Sequence, residues 1–426
     1  MLHNSKDLEV LKTILHALGF LFQVIMNGYF FYYFVISIFG WIKRKEKPAE
    51  SFIPVHKFAL LISAHNEEAV IGNLIRNLKD LDYPKELYDI YVVADNCSDN
   101  TAKVARENGA IVYERFDLKR RGKGYSLEWM FKNLFALNIK YDAVGIFDAD
   151  NLVSKNFLRE MNKQLHLGNK VVQGYLDSKN PNDTWISGNY SIAYWISNRL
   201  FQLPRHYLGL SCALGGTGFV MSVDVLKELG WGATCLTEDL EFSLKLVLKG
   251  MRVSWSHEAI IYDEKPLDLK QSLLQRKRWM QGHFNCAVRY FRKLMEKAFA
   301  DKDLVAFDSA MYLLQPTVLV INFFAAISWL IGMLFTKNPV NAKPLSIAAS
   351  FIAIAAITSI NIIVLAVEGK LTKEILLYFI LFPLYGLTWV PAIIQGFLER
   401  QSNEWIHTLH TRAIDISEIK TFRKVG

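Results

Sequence analysis

Residues 88–113 read YDIYVVADNCSDNTAKVARENGAIVY, and this stretch decides the fold class. The apolar run Tyr88–Ala94 has the length and the β-branched residues of a buried strand. The polar residues after it can cap a helix that continues to Asn108, and Ile111–Tyr113 predicts the next strand. A strand, a helix and a strand at this spacing indicate parallel strands in an α/β sheet.

The same alternation of strands and helices extends to both sides of this stretch. Lys57–Ser63 (KFALLIS) predicts an earlier strand, and the helix predicted over Glu67–Leu81 has apolar residues three and four positions apart. Ala143–Phe147 (AVGIF) predicts a later strand, with helices beginning at Lys123 and at Ser154. We therefore predict an α/β fold in which an open, mostly parallel nucleotide-binding sheet holds its ligand at the strand ends.

The composition indicates that part of the chain lies in a membrane. Of the 426 residues, 51% are hydrophobic, which is a high share for a soluble protein. The net charge of +8 is divided among short clusters such as Lys43–Lys47 and Arg276–Arg278. Such clusters fit contacts with anionic lipids and phosphates, and the lack of one continuous basic stripe argues against a nucleic-acid-binding protein.

Four apolar stretches have the length of a membrane-spanning helix: Ile14–Trp41, Met311–Phe335, Leu345–Val367 and Ile375–Leu398. Basic residues directly after the first stretch predict that its end lies in the cytoplasm. The last stretch is interrupted by Pro383 and Pro391, so it is a candidate for a re-entrant or interfacial segment. We expect a multi-pass plasma-membrane protein with about four transmembrane or re-entrant helices and a cytoplasmic α/β domain.

These patterns divide the chain into six parts. They are an N-terminal transmembrane helix (1–42), a basic linker (43–56), the cytoplasmic α/β domain (57–265), interfacial amphipathic helices (266–308), a C-terminal transmembrane region (309–398) and a basic tail (399–426). Most candidate functional residues lie in the α/β domain, where they follow its predicted strands.

Acidic side chains follow two of the predicted strands directly. Asp95 follows YVVA, where it can bind a base or ribose, since Asp99 is the better cap for the next helix. Asp148 and Asp150 end the run AVGIF, where two carboxylates can share a divalent cation with a diphosphate. The same spacing in Asp80–Asp82 lies in a polar turn, so the Asp148–Asp150 pair taken alone fits a structural turn equally well.

Other polar positions allow both a ligand-binding and a structural interpretation. Glu67 follows the first strand and either binds a ligand or stabilises the first turn of the next helix. Lys123 stands in a glycine-flanked basic loop and is either a point charge for a phosphate or a solvated lysine. Gly216 and Thr217, in the loop GGTG, either let the backbone approach a ligand closely or form a tight turn.

The segment LTEDLE carries the candidate general base. Thr237 can cap a helix that begins at Glu238 and Asp239, which is the structural interpretation of this segment. Adjacent carboxylates cannot both point in one direction, so one can face the cleft while the other caps the helix. We predict that Asp239 faces the cleft and accepts the proton of an attacking hydroxyl.

The segment QRKRW lies in a predicted helix with an apolar face and a basic face. Such a helix is typical of a membrane interface. Its place just before an apolar stretch also requires an amphipathic segment. Within it, Arg278 can neutralise a departing diphosphate and Trp279 can stack on a sugar ring. The interfacial and the ligand-binding interpretations are compatible with each other.

The ordered series AHNEE, ADNCSD, FDADN, GGTG, LTEDLE and QRKRW resembles that of family 2 inverting glycosyltransferases over roughly Lys57–His283. The resemblance is greatest to the processive membrane synthases of cellulose, chitin, hyaluronan and poly-N-acetylglucosamine. It implies a GT-A fold, a UDP-sugar donor and Mg or Mn. By position it implies uridine binding by Glu67 and Asp95, a DxD motif of Asp148 with the metal ligand Asp150, a base at Asp239, and an acceptor and diphosphate motif of Gln275, Arg278 and Trp279. Trp405–Thr408 resembles the W-x-x-T tail motif of some of these synthases.

We therefore expect an inverting transferase that polymerises UDP-N-acetylglucosamine or UDP-glucose into a β-linked extracellular polysaccharide. Asp239, beside Glu238, would be the general base, and a divalent metal would assist UDP departure. Expected partners are the growing polysaccharide, the bilayer, and an accessory secretion protein or a second copy of the chain. Two alternatives stay open: a transferase that adds one sugar to a lipid carrier, and a transporter or channel subunit with a non-catalytic nucleotide-binding domain.

Overall fold

The computed structural model describes residues 2–232, 234–335, 344–401, 410 and 412–419. Its strands are β1 Phe58–Ala64, β2 Tyr88–Asp95, β3 Ile111–Arg115, β4 Ala143–Asp148, β5 Leu152–Val153, β6 Val171–Ser178, β7 Phe219–Ser222 and β8 Ser254–Asp263. Its first nine helices are α1 Leu2–Ile38, α2 Ile71–Lys79, α3 Thr101–Glu107, α4 Lys123–Phe135, α5 Phe157–His166, α6 Trp185–Ser197, α7 Leu203–Leu208, α8 Val223–Leu229 and α9 Glu238–Leu248. The remaining six are α10 Leu269–Ala300, α11 Leu304–Phe335, α12 Pro344–Val367, α13 Lys373–Ile380, α14 Phe382–Leu387 and α15 Trp389–Leu398.

The strands form one eight-stranded sheet in the order β3-β2-β1-β4-β7-β6-β8-β5. The first four strands in this order are parallel, with Ala64 beside Ala94 and Ser63 beside Asp148. Their carboxyl ends therefore lie at one edge of the sheet, which we call the site edge. The prediction of parallel strands joined by helices is confirmed for this half of the fold.

The other half of the sheet is mixed, which corrects the prediction of a mostly parallel sheet. Strand β7 pairs antiparallel with both β4 and β6, and β5 pairs antiparallel with β8, while β6 and β8 are parallel. Phe219 pairs with Ile146, near the site edge, and Ser222 pairs with Ala143 at the opposite edge. Strand β7 therefore runs away from the site edge, and the loop Gly215–Gly218 before it lies at that edge.

Strand β1 shows why the sequence of this sheet is continuously apolar. Ala59 and Leu61 belong to one buried core, whereas Leu60 and Ile62 belong to a second core on the other face of the sheet. Helices cover both faces, so neither set of side chains reaches water. A central parallel strand of this kind reads as an unbroken hydrophobic run, as KFALLIS does.

Two described helices are long and apolar enough to cross a membrane, Ala17–Trp41 and Leu304–Ser328. The helices Lys373–Ile380 and Phe382–Leu398 would make a third span if they are counted together, but they bend by 53° where they meet. The prediction of about four spans is therefore not confirmed within the described residues. The bend lies within Ile375–Leu398, the stretch that was predicted from its prolines to be re-entrant or interfacial. The Trp405–Thr408 motif lies outside the described residues.

Buried polar contacts join the long helices to the α/β domain. Arg205 at α7 forms an ion pair with Asp308 in α11, with Nε–Oδ2 at 2.8 Å and both side chains at most 2% exposed. The Tyr32 hydroxyl of α1 donates to the same carboxylate at 2.8 Å. One aspartate thus fixes α1 and α11 against the α/β domain.

Candidate active site

Asp95 ends β2 at the site edge and lies almost completely buried. It pairs in register with Arg115 at the end of β3, and the Arg115 Nη1 donates to its carboxylate at 2.6 Å. Burial raises the pKa of Asp95, although the ion pair with Arg115 opposes the shift. Arg115 was not predicted from the sequence, because only the strand pairing brings it beside Asp95.

Glu67 lies between β1 and α2, four residues before the helix begins. Its backbone N–H donates to the Thr101 hydroxyl at 2.8 Å, and its carboxylate lies 2.9 Å from Nδ1 of His410. Burial alone would lower the pKa of His410, but Asp150 and Glu67 raise it to about 10, so the ring is a cation. The tail thus contributes a charged side chain to this edge, which no motif marked.

Lys123 and Asp148 form a pair at the centre of the site edge. The Lys123 ammonium, on the first residue of α4, donates to the Asp148 carboxylate and, at 2.7 Å, to the Gly216 carbonyl. Burial alone would lower the pKa of Lys123, but Asp148 and Glu238 raise it above its ordinary value. Lys123 is therefore a fixed cation between the Asp148 strand end and the glycine loop.

Asp150 lies two residues after β4 and is only 4% exposed. The Glu264 backbone N–H donates to its carboxylate at 2.8 Å, and the Lys179 ammonium donates to its main-chain carbonyl at 2.8 Å. Burial alone would raise the pKa of Asp150, but the charges of His410 and Lys179 hold it below its ordinary value. The side chain is thus a carboxylate in a basic setting.

The loop Gly215–Gly218 joins the strand end at Asp148 to the start of α9. Thr217 Oγ1 accepts the Asp148 backbone N–H at 3.0 Å and donates to Asn151 Oδ1. Gly216 has φ 79°, and a Cβ on it would lie 3.4 Å from Oδ2 of Asp239. The loop therefore lies against the carboxylate of Asp239, and its close approach to a ligand stays a prediction.

Glu238 and Asp239 begin α9, and both are half-buried. Thr237 precedes them, but its side chain makes no capping hydrogen bond, so the capping box is not formed. Burial, reinforced by the Asp239 charge, raises the pKa of Glu238 to about 7, and burial also raises the pKa of Asp239. Both carboxylates lie in the electrostatic range of Lys123, so the chain of contacts from Asp148 through Lys123 and Gly216 ends at a candidate base.

Gln275 and Trp279 lie on α10 and face an aromatic cluster of α6. The Tyr190 hydroxyl donates to Oε1 of Gln275 at 2.5 Å, and the rings of Tyr190 and Trp279 meet edge to face at 6.0 Å. Arg278 lies half-buried on the same helix. The motif therefore packs onto α6, and this helix was not predicted to be part of the site.

Lys265 and Asp263 connect this aromatic cluster with the acidic groups. The Lys265 ammonium lies 3.5 Å from the centroid of the Tyr194 ring and 2.6 Å from the Asp263 carboxylate. Burial raises the pKa of Asp263 to about 6 against the opposing charge of Lys265, and the charges of Asp150 and Asp148 add to the rise. Asp263 ends β8 as Asp95 and Asp148 end β2 and β4, and Lys265 follows it, so the same signal could have identified this segment.

The carboxylates suit a divalent cation that is shared with a ligand. Asp148 and Asp150 offer oxygen donors at one strand end, which Mg²⁺ and Mn²⁺ prefer. Within the described residues, no group of three or more His, Cys, Asp or Glu side chains is arranged to hold a metal. A cation held by Asp150 would therefore need further oxygens from a bound diphosphate, and the residues fit such an ion.

Comparisons with known proteins agree with the motif order. The profile of the glycosyltransferase-like family 2 matches residues 55–282. A β-monoglucosyldiacylglycerol synthase of Synechocystis is 28% identical over 65% of this chain and 58% of that protein, so the match spans less than two thirds of that relative. A probable glycosyltransferase of Bacillus subtilis, YdaM, is 25% identical over 90% of this chain and 93% of its own length.

Two further comparisons are with a polysaccharide synthase and with a solved structure. A poly-β-1,6-N-acetyl-D-glucosamine synthase of Staphylococcus aureus is 25% identical over 62% of this chain and 65% of that protein. A mannosyltransferase from Pyrobaculum calidifontis, solved with GDP-mannose and Mn²⁺, has a TM-score of 0.55 at 16% identity, over 87% of this chain and 96% of that one. The likeness in structure shows a GT-A-like mixed sheet with helices.

Proposed function

Because the chain belongs to glycosyltransferase family 2, we propose that it transfers a hexose from a UDP-sugar to a hydroxyl of a membrane-borne acceptor, with inversion. The observation that carries this proposal is the chain of contacts from Asp148 through Lys123 and Gly216 to Asp239. It joins a diphosphate-binding strand end to a carboxylate that can accept a proton. An inverting transfer needs both within one pocket.

The donor occupies the site edge. Glu67 and Asp95 bind the uridine, and Arg115 holds the Asp95 carboxylate in place at 2.6 Å. Lys123 is a fixed cation beside the diphosphate, where it stabilises the charge that develops as UDP leaves. Gly216 and Thr217 form the loop along the sugar side of the pocket, since Gly216 lies against Asp239.

Asp150, with Asp148 beside it, would hold a Mg²⁺ or Mn²⁺ ion together with the diphosphate. The ion would neutralise charge on the leaving group, which is the chemistry it supplies when bound. The positive charges of His410 and Lys179 lower the pKa of Asp150 and so keep its carboxylate ionised for binding such an ion. The Pyrobaculum mannosyltransferase was solved with Mn²⁺ bound, which supports a divalent ion here.

Asp239 acts as the general base. Its carboxylate accepts the proton of the acceptor hydroxyl while the oxygen attacks the anomeric carbon from the face opposite UDP, so the α-linked donor becomes a β-glycoside. The charge of Asp239 in turn raises the pKa of its neighbour Glu238 by like-charge repulsion. Lys123 limits this effect, because its positive charge favours both ionised carboxylates.

The acceptor side favours a lipid hydroxyl. The broken helices α13–α15 pack on the aromatic cluster through Tyr385, whose ring lies 6.1 Å from that of Tyr190. Their outer side exposes apolar side chains, with Leu377 65% and Ile380 73% exposed. Such a face suits a bilayer. The name of the Synechocystis relative supports a diacylglycerol-type acceptor and a glucosyl donor.

A second candidate is the polymerisation of N-acetylglucosamine or glucose into a β-linked polysaccharide. It is favoured by the Gln275, Arg278 and Trp279 motif and by the staphylococcal relative. Both candidates place the α/β domain at the cytoplasmic face of the plasma membrane, because UDP-sugars are made in the cytoplasm. An accessory secretion protein or a second copy of the chain would be needed only for the polymer.

The test is incubation of the purified full-length protein in vesicles with UDP-glucose or UDP-N-acetylglucosamine, Mn²⁺ or Mg²⁺, and diacylglycerol. We expect metal-dependent UDP release and one discrete glycolipid on thin-layer chromatography. A ladder or a high-mass polymer that β-glycosidases digest would support the second candidate instead. If no UDP is released with any donor, metal and acceptor, the transferase proposal is wrong and a non-catalytic nucleotide-binding domain becomes the better explanation.

A further inference from the structure

Three polar side chains, those of Gln173, Tyr175 and Asp177, lie at alternate positions of strand β6, and Lys179 follows directly after the strand. Alternate residues of a strand point to the same side, so these three side chains form a row, and Lys179 stands at its C-terminal end. Gln173 Nε2 donates to the carbonyl of Thr217 at 2.9 Å, and its Oε1 accepts the Gly215 N–H at 2.9 Å. Lys179 binds the carbonyl of Asp150. The two ends of the row therefore hold the glycine loop and the main chain at the metal carboxylate.

The middle of this row holds a turn between two apolar helices. We call Glu368, Gly369 and Lys370 the docking turn, which joins α12 to α13. The Tyr175 hydroxyl donates to Glu368 at 3.0 Å, and the Lys370 ammonium donates to Asp177 at 2.5 Å. Glu368 and Lys370 are at most 5% exposed. The apolar helix α12 is thus followed by a glutamate and a lysine whose opposite charges are both buried against β6.

A second contact connects the docking turn to the end of α1. Arg199 Nε lies 2.5 Å from the Glu368 carboxylate, and Nη1 of the same guanidinium donates to the Gly40 carbonyl at 3.1 Å. Gly40 also lies close to the backbone of Arg199: a Cβ on Gly40 would lie 2.2 Å from the Arg199 carbonyl oxygen. One arginine therefore contacts both the end of the candidate span Ala17–Trp41 and the turn after the apolar helix α12.

Buried ion pairs are a costly way to anchor a turn, since apolar side chains of similar size often stabilise a fold as well or better. Their directional contacts do fix one position of the two partners. We propose that the docking turn is a positioning element of the active site: through β6 it sets the place of the Gly215–Gly218 loop and of the main chain at Asp150. The inference rests on the proposed transferase function for its effect on turnover, but its structural part stands independently of that function.

The structure offers a matched control for this inference. Asp177 pairs with Lys370 and also accepts the Trp195 indole N–H at 2.7 Å. Asp308 pairs with Arg205 and also accepts the Tyr32 hydroxyl at 2.8 Å. Both are buried aspartates that join the α/β domain to a long apolar helix, but only Asp177 lies on β6. Asp177→Asn and Asp308→Asn each leave one buried cation without its carboxylate.

The experiment compares the two variants as full-length protein in nanodiscs by hydrogen–deuterium exchange and by turnover per folded molecule. In Asp177→Asn we expect about fivefold faster exchange in peptides that cover residues 148–151 and 215–218, as for the loss of one hydrogen bond. We also expect a loss of about tenfold to a hundredfold in kcat, with the KM for UDP-sugar within about twofold. In Asp308→Asn neither site peptide should change.

The double variant Asp177→Asn with Lys370→Gln should recover protection at both peptides, because a neutral amide pair replaces the unpaired cation. If Asp177→Asn does not fold, Lys370→Gln alone is measured and should show the same pattern more weakly. Equal exchange in the Asp177 and Asp308 variants, or unchanged exchange in both, would overturn the inference. If the wild type releases no UDP, the proposed function fails, while the exchange comparison still decides the role of the docking turn.

Discussion

The two halves of the site are built differently. In the proposed donor half, Asp95, Asp148 and Asp150 each follow a recognisable apolar run at a strand end, and Lys123 begins a helix after a basic loop. The acceptor half, with Trp279 and its partners on α6 and α14, comes from helices that are far apart in sequence. Chemistry at strand ends can thus be read locally, whereas a wall made of helices depends on tertiary packing.

Replacing Asp239 should give the largest effect, because this residue lies where the two halves meet. We expect Asp239→Asn to lower kcat by about 10²–10⁴-fold with little change in the KM for UDP-sugar, since the proton of the acceptor then has no base. UDP release and thermal unfolding are measured together. Full turnover in Asp239→Asn would show that Asp239 is not the base and that the two halves do not meet at this residue.

Lys123 tests the donor half alone. Lys123→Met removes the cation beside the diphosphate, and we expect a loss of about 10²–10³-fold in kcat. Lys132→Met, on the exposed side of the same helix α4, is the control and should retain wild-type activity. Comparable losses in both variants would point to damage to the helix and would contradict a role for Lys123 at the diphosphate.

The pH dependence probes the Glu238–Asp239 pair. Burial raises the pKa of both Glu238 and Asp239, and a protonated carboxyl cannot accept a proton, so kcat/KM should fall on the acid side at a higher pH than for an exposed carboxyl. In Glu238→Gln one member of the pair can no longer bind a proton or repel the charge of the other, so we expect the acid-side fall to move to lower pH. An unchanged profile in this variant would show that another group controls the reaction.

Tyr190 tests the acceptor half and should give the smallest effect. Tyr190→Phe removes the hydrogen bond to Gln275 and keeps the ring against Trp279. We expect the KM for the acceptor to rise about fivefold while the KM for UDP-sugar stays constant. Tyr125→Phe, at an exposed position of α4, is the control. A rise in the donor KM instead would mean that the two halves are not separate.

The fold of the parallel half was predictable because a strand buried on both faces leaves an unbroken apolar run, as in Phe58–Ala64. The mixed half was not, since β7 has four residues and its direction depends on its partners. Asp95, Asp148 and Asp150 were found from their places after strands, and Lys123 was found from its basic loop before a helix. Arg115 depends on register and His410 on a distant tail, so neither carried a local signal.

The acceptor half was only partly predictable for the same reason. The motif of Gln275, Arg278 and Trp279 was visible, but Tyr190 and Tyr194 look like ordinary apolar-face residues of a helix until α6 packs onto α10. The broken helix was marked by Pro383 and Pro391, yet only the structure shows that it covers the aromatic cluster. Which acceptor it admits depends on that packing.

The most direct test of the account is an experimental structure of the full-length protein with UDP and Mn²⁺ bound. We predict uracil at Asp95, the diphosphate at Lys123, the metal ion between the diphosphate and Asp150, and Asp239 facing the position of the departed sugar. UDP bound away from these residues, or Asp239 turned away from the diphosphate with Trp279 remote from both, would contradict the central claim that the two halves meet in one pocket.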